Sequence, residues 1–264
     1  MKAGIIPPEA DGPVRAMAMV LHLERDAPPR TAVLGAAAAA ALAVCLDPRS
    51  EPGGEWHDAV AAWTAGRIRK IARRARGAHW AAVQDVPGVT WAVPVDGGST
   101  VGPVGHSVGG VAGAVGHPVS ADAGRAAAGA HSAGRPPVAQ VRALVPGPVD
   151  EVPRVVSRLQ IGGTDLPADD PGPVPDGAVA IYLNPGIAMS VGKAAAQVGH
   201  ASMLWAAVRG ARGIDAVPRF AVRLAARDRW AQLCAAVGRD EAVAVRDAGF
   251  TEVDPGTVTC VVDG

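Results

Sequence analysis

Short apolar runs alternate with longer stretches of small residues along the chain, and that alternation predicts strands separated by helices. AMAMVLHLE (16–24) reads as a strand that Pro28 and Pro29 end, and 31–46 as an alanine-rich helix. Past the break at Pro52, Gly53 and Gly54, 55–66 reads as a short helix with Trp56, Ala59, Val60 and Trp63 along one side. Residues 66–83 predict a basic strand running into a helix, 87–95 and 138–145 predict strands, and 149–160 a short helix. The C-terminal part reads strand 178–183, helix 191–209, strand 218–225 and helix 228–237, capped by Asp228 and ended by Gly238. Strand 241–246, a loop and strand 257–262 complete it.

Two stretches interrupt the alternation. In 96–137, 11 of the chain's 33 glycines fall within 42 residues, among Ala, Val and Ser with no sustained period, which predicts a flexible low-complexity insertion. Its His106, His117 and His131 are spaced too widely and unevenly to predict a metal site. LPADDPGPVPDG (166–177), with its four prolines, reads as an extended linker. The expected organisation is therefore an N-terminal lobe over 1–165, a linker over 166–177 and a C-terminal domain over 178–264.

The two parts repeat one order of elements. Shifted by 160 residues, Leu23 falls on Leu183; shifted by 150, Arg73 falls on Arg223 and Trp80 on Trp230. Val33, Ala37 and Ala40 then stand where the C-terminal copy has Lys193, Gln197 and His200. The N-terminal copy reads as one that kept its packing and lost its polar chemistry. Chance similarity between alanine-rich stretches is the competing explanation.

Charge narrows the functional classes. Lys plus Arg equals Asp plus Glu at 25 each, and the balance is 16 to 17 before the Asp176 boundary and 9 to 8 after it. Neither part is globally basic, so any nucleic-acid contact has to be local. Cys45, Cys234 and Cys260 lack CxxC spacing and predict reduced thiols in a cytoplasmic protein, with neither zinc nor a disulfide frame. The start, MKAGIIPPEADGPVR, has no apolar core of a signal peptide. The 15 apolar residues of 32–46 fall short of the ~20 that span a bilayer and predict a buried helix, with no membrane segment.

The most distinctive stretch is NPGIAMSVGKAAAQVGHASMLW (184–205). With Ser190 as N-cap, Lys193, Gln197 and His200 fall at i, i+4 and i+7 and share one helix face. A solvated polar face is one reading of that spacing; a polar cluster at a helix start just after a strand is the other. A phosphate-cradling loop of the GxxxxGK[ST] type is excluded, because five residues separate Gly186 from Gly192 and Ala194 stands where a hydroxyl is needed. No cofactor is implied.

Taken with the far end of the chain, the stretch resembles the type-two peptidyl-tRNA hydrolase family. That family pairs a helix of the form GK-x-AAQ-x-x-HA with a later DAG-x-T and PGT-x-T. Here these are 192–201, then Asp247-Ala248-Gly249-Phe250-Thr251 and Pro255-Gly256-Thr257-Val258-Thr259. The resemblance covers 177–264 and implies a four-stranded mixed sheet flanked by helices. The whole chain would then be α/β, with a degenerate lobe of similar order preceding the catalytic one. It implies hydrolysis of the ester between a peptide and the 3′ ribose of tRNA, with peptidyl-tRNA as partner. Lys193, Asp247, Thr251 and Thr257 carry over as catalytic, and Gln197, His200, Gly256 and Thr259 as substrate-binding. Two positions depart from the pattern: Val198 replaces a common cysteine, and Phe250 an arginine that would supply a phosphate-binding charge.

A compensating charge lies in the N-terminal copy, where Arg67, Arg69, Lys70, Arg73, Arg74 and Arg76 crowd ten residues. Of these, Arg69, Lys70, Arg73 and Arg74 are expected to follow the tRNA backbone; a solvated strand edge is the alternative. The tandem copies would form a pseudo-dimer within a monomeric chain. A non-catalytic RNA-binding module that keeps the hydrolase fold is the alternative function.

Overall fold

Buried apolar runs at both halves' starts become the centre of two mixed sheets. The structure is a computed structural model, and it describes residues 13–66, 68–95, 138–210, 214, 216–249 and 252–263. The expected insertion 96–137, with Arg67, Phe250 and Thr251, lies outside the described residues.

In the N-terminal half, β1 (Arg15–His22) pairs in parallel with β2 (Arg69–Ala75) and antiparallel with β4 (Val138–Leu144). β3 (Gly88–Pro94) closes the order β2-β1-β4-β3. In the C-terminal half, β6 (Val179–Leu183) pairs in parallel with β7 (Phe220–Leu224) and antiparallel with β9 (Val258–Asp263). β8 (Ala242–Arg246) completes β7-β6-β9-β8, the same order with the same strand senses. The central strands show why: Met17, Met19 and Leu21 on β1 and Ile181 on β6 are fully buried, as strands covered on both faces must be.

Between the sheets lie the two helices that open the halves. α1 (Arg30–Leu46) and α5 (Val191–Arg209) pack on one another. α1 rests on β3 and β4 of its own sheet and reaches β7 of the other; α5 rests on β8 and β9 and reaches β2. That reciprocity is what a two-fold interface produces. Ala36 to Ala41 are at most 1% exposed, so α1 is apolar all round because it is covered all round. Small side chains permit the close approach, and Ser202 Oγ donates 2.7 Å to the Ala38 carbonyl across the pair. One apolar core runs through both halves without a break. No helix among the described residues is long and apolar enough to cross a membrane.

The outer faces carry α3 (Gly77–Val83) and the short α4 (Arg154–Ser157) on the first sheet, and α6 (Arg227–Gly238) on the second. α2 (His57–Ala65) packs beside the chain turn at 48–50. Three expectations change here. The helix expected over 149–160 shrinks to four residues, because Gly147–Pro148 forms a fifth short strand, β5, on β1 and Pro153 delays the helix start. α6 begins at Arg227 with Ala226 as cap, so Asp228 sits in its first turn; it ends at Gly238 as expected, and the left-handed residue follows at Asp240 (φ 60°). The expected linker is irregular but tied at both sides. Asp169 accepts from Thr31 N (3.0 Å) and Oγ1, while Arg223 on β7 donates to the carbonyls of Gly172 (2.9 Å) and Pro173 (2.7 Å).

Candidate functional site

α5 starts where β6 ends, and its first turn is fastened from three directions. Ser190 Oγ accepts from Lys193 N (3.1 Å), the cap its sequence position predicts. Thr164 Oγ1 accepts from Gly192 N (3.1 Å) in a buried contact. Glu252 binds Ser190 N (2.9 Å) and Oγ (2.7 Å), tying the β6–α5 loop to the segment before β9. These bonds fix where the next side chain on α5 points.

That side chain is Lys193, whose ammonium donates directly to Asp247 Oδ2. Asp247 follows β8 and is held at a turn: its N–H donates to the Thr257 carbonyl (2.9 Å), and its own carbonyl accepts from Gly256 N (2.7 Å). Its other carboxylate oxygen accepts from Gly249 N (2.8 Å). Gly249 has φ 79°, and a Cβ there would sit 2.3 Å from Pro255 Cγ, so glycine is required twice over. One helical turn on, Gln197 Nε2 donates 2.8 Å to Asp247 Oδ2, and Gln197 Oε1 accepts from Thr259 Oγ1 (2.6 Å) on β9. Because Thr259 occupies the amide oxygen, the amide nitrogen is left to face the acid. The pair is nearly dry: the side chains of Lys193 and Asp247 are 10% and 5% exposed.

The arrangement revises several expected roles. Gln197 and Thr259 are buried at 4% and 0% exposure. Gln197 bonds Asp247 and Thr259 bonds Gln197, on a face of α5 that packs on β8 and β9. Gly256 forms the turn under Asp247, and Thr257 contributes through its carbonyl and stays partly exposed at the start of β9. Thr251, expected beside them, is outside the described residues.

His200 does not join Asp247's hydrogen-bond network. Its Nδ1 faces Lys70 Nζ at 3.1 Å, a contact from one half of the molecule to the other. Burial, then the nearby charges of Lys70 and Lys193, hold the imidazole well below its ordinary pKa, so it is the neutral acceptor. Burial likewise pushes Lys70 down to about 7. Of the stripe expected to follow a phosphate backbone, Arg73 is buried, while Arg69, Lys70 and Arg74 are partly exposed. Arg73, 9% exposed, donates to the Leu159 carbonyl (3.0 Å) and the Ser157 carbonyl (3.3 Å), and Arg74 donates to the Gly163 carbonyl (2.7 Å). β2 is an edge strand, as the alternative reading had it, but 158–164 runs along that edge and takes up these arginines. Arg69 borders the same edge and its carbonyl accepts from Trp63 Nε1 (3.1 Å).

Two participants escaped the sequence reading. Thr164 lies in a stretch with no periodicity, and Glu252 in a loop, so neither carries a pattern that a single sequence exposes. Clefts lie elsewhere: one of about 450 Å³ between the start of α1, β7 and the end of β3, another beside Glu24 and Arg76. No group of three or more metal-ligating side chains occurs among the described residues.

Fold and site together define an α/β protein with a buried lysine–carboxylate pair at the end of its second sheet. No family model, curated protein or solved structure matches the chain.

Proposed function

We propose that the C-terminal half hydrolyses the ester bond of peptidyl-tRNA. The observation that carries this reading is the direct Lys193–Asp247 contact, formed by the two segments that resemble the hydrolase motifs. In the reaction water adds to the ester carbonyl carbon, the bond to the 3′ ribose oxygen breaks, and that oxygen takes a proton. Lys193 would supply positive charge to the developing oxyanion, the largest single contribution in many acyl transfers. Asp247, saturated by donors from Lys193, Gln197 and Gly249, acts as the fixed anchor that aims the ammonium. Thr257, partly exposed at the same strand start, offers a hydroxyl for the attacking water.

The test is release of labelled peptide from purified peptidyl-tRNA by the full chain. Turnover that disappears in Asp247→Asn supports the assignment; no release above background removes it. A non-catalytic RNA-binding module is the second reading, favoured by the occupation of Asp247 by Lys193, Gln197 and Gly249, which uses the acid to hold the structure. It predicts tRNA binding without release of peptide. On either reading we propose a cytoplasmic monomer whose two halves take the places of two subunits.

A further inference from the structure

Lys70 and His200 are titratable groups that the ester chemistry does not use. They meet at the seam, one from the edge strand β2 and the other from α5. The stem of Lys70 runs over Gly199, where an added Cβ would come within 3.1 Å of its Cδ and Cε. Its ammonium end lies 5.0 Å from the Trp63 ring. Both residues remain partly exposed.

The groups that face them include no carboxylic acid. The groups facing Lys70 are His200 on α5, Trp63 on α2 and the Cys45 thiol on α1. That thiol is itself pushed up to about 11 by burial and is uncharged at neutral pH. The charges acting on His200 are Lys70 and Lys193, both positive. Among the described residues no carboxylate pairs with Lys70 or His200, while Lys193 is paired with Asp247. Asp247, the acid of the neighbouring network, already accepts from three donors. Side chains able to carry two positive charges thus converge without a counter-ion, a focus of positive potential in a molecule of zero net charge.

We propose that Lys70 and His200 together bind a phosphate group at the seam between the two halves, on the helix face that also carries Lys193. Without a ligand the pair lies as an amine donating to a neutral imidazole. An anion entering between them offers acceptors to both nitrogens and favours their charged forms, so binding takes up protons. The proposal rests on the hydrolase reading only for the source of the phosphate, the tRNA backbone. It is measured without turnover, so the failure of either is distinguishable.

The experiment is calorimetric titration of the full chain with inorganic phosphate, a 5′-mononucleotide and a short single-stranded oligoribonucleotide. Each is run at pH 7 in buffers of different ionisation enthalpy. The expected result is saturable binding with uptake of about 0.5 to 1.5 protons per phosphate, and affinity that falls from pH 7 to pH 9. Lys70→Met keeps the stem and removes the charge, and should weaken phosphate binding about tenfold or more while removing most of the uptake. If that variant does not fold, the ring-nitrogen chemical shifts of His200 in the native chain carry the test, moving to the protonated form as phosphate is added. Absence of saturable binding, binding without proton uptake, or an unaltered Lys70→Met overturns the site. An oligoribonucleotide that binds no tighter than inorganic phosphate overturns the RNA backbone as its source.

Discussion

The two halves fold the same way, and their opening helices differ in one respect that matters. At the positions facing each sheet, α1 carries Val33, Ala37 and Ala40, all fully buried, while α5 carries Lys193, Gln197 and His200. Those positions on α1 carry no polar group, whereas on α5 Lys193 and Gln197 join a chain of side chains running Thr259, Gln197, Asp247, Lys193. Equal topology with unequal polarity separates what the fold needs from what a site needs. The sheet order survives with alanine and valine in every one of those places; the buried ion pair serves chemistry or specificity, since an apolar replacement would pack as well.

Placing the lysine in the wrong half should show the difference most strongly. Val33→Lys buries a charge with no acid waiting for it and should cost about 5 kcal/mol or prevent folding, read by urea denaturation. A mild effect would mean that the N-terminal half retains a hidden acceptor. Removing the lysine from the right half comes next. Lys193→Met leaves Asp247 buried without its cation and should lower stability by about 3 kcal/mol, whereas Lys193→Met with Asp247→Leu should recover most of it.

Asp247→Asn keeps shape and removes charge. It should slow release of peptide from peptidyl-tRNA by about 100-fold or more, measured on the folded protein because the buried lysine loses its anion, and an unchanged rate would take Asp247 out of the mechanism. Thr259→Val deletes the hydroxyl that fixes the Gln197 amide and should cost about 1 to 2 kcal/mol, because the amide oxygen is left buried without a donor. A stability equal to the parent's would show that Gln197 finds another partner.

The gentlest probe is pH. Lys70 titrates near 7 in the folded chain against 10.5 in its ordinary state, so folding favours its neutral form. Its contribution is present above 10.5 and is lost as pH falls from there to 7; His200, held below 6.5, adds a loss below that value. Stability should therefore rise from pH 7 to pH 10 with a slope that Lys70→Met flattens.

Much of the comparison is legible in one sequence. Apolar alternation and proline breaks place the strands within a few residues, Ser190 marks the start of α5, and the shared order of elements makes the repeat visible. The polar stripe on α5 and the acid after β8 are readable as candidates because spacing along a helix and the glycine-flanked turn are local properties. Which candidate touches which is not local. Burial of Gln197 and Thr259 depends on α5 lying on β8 and β9, while the inward turn of Arg73 and the meeting of Lys70 with His200 depend on 158–164 lying along β2 and on α5 lying against that strand. Those contacts join residues 62 to 130 positions apart, and the small side chains between them have a pattern that says only that something packs closely. The sequence by itself determined the elements, their order and the chemistry on offer; the tertiary structure decided which polar groups form the site and which hold the halves together, because burial and partner choice follow from where the chain folds back upon itself.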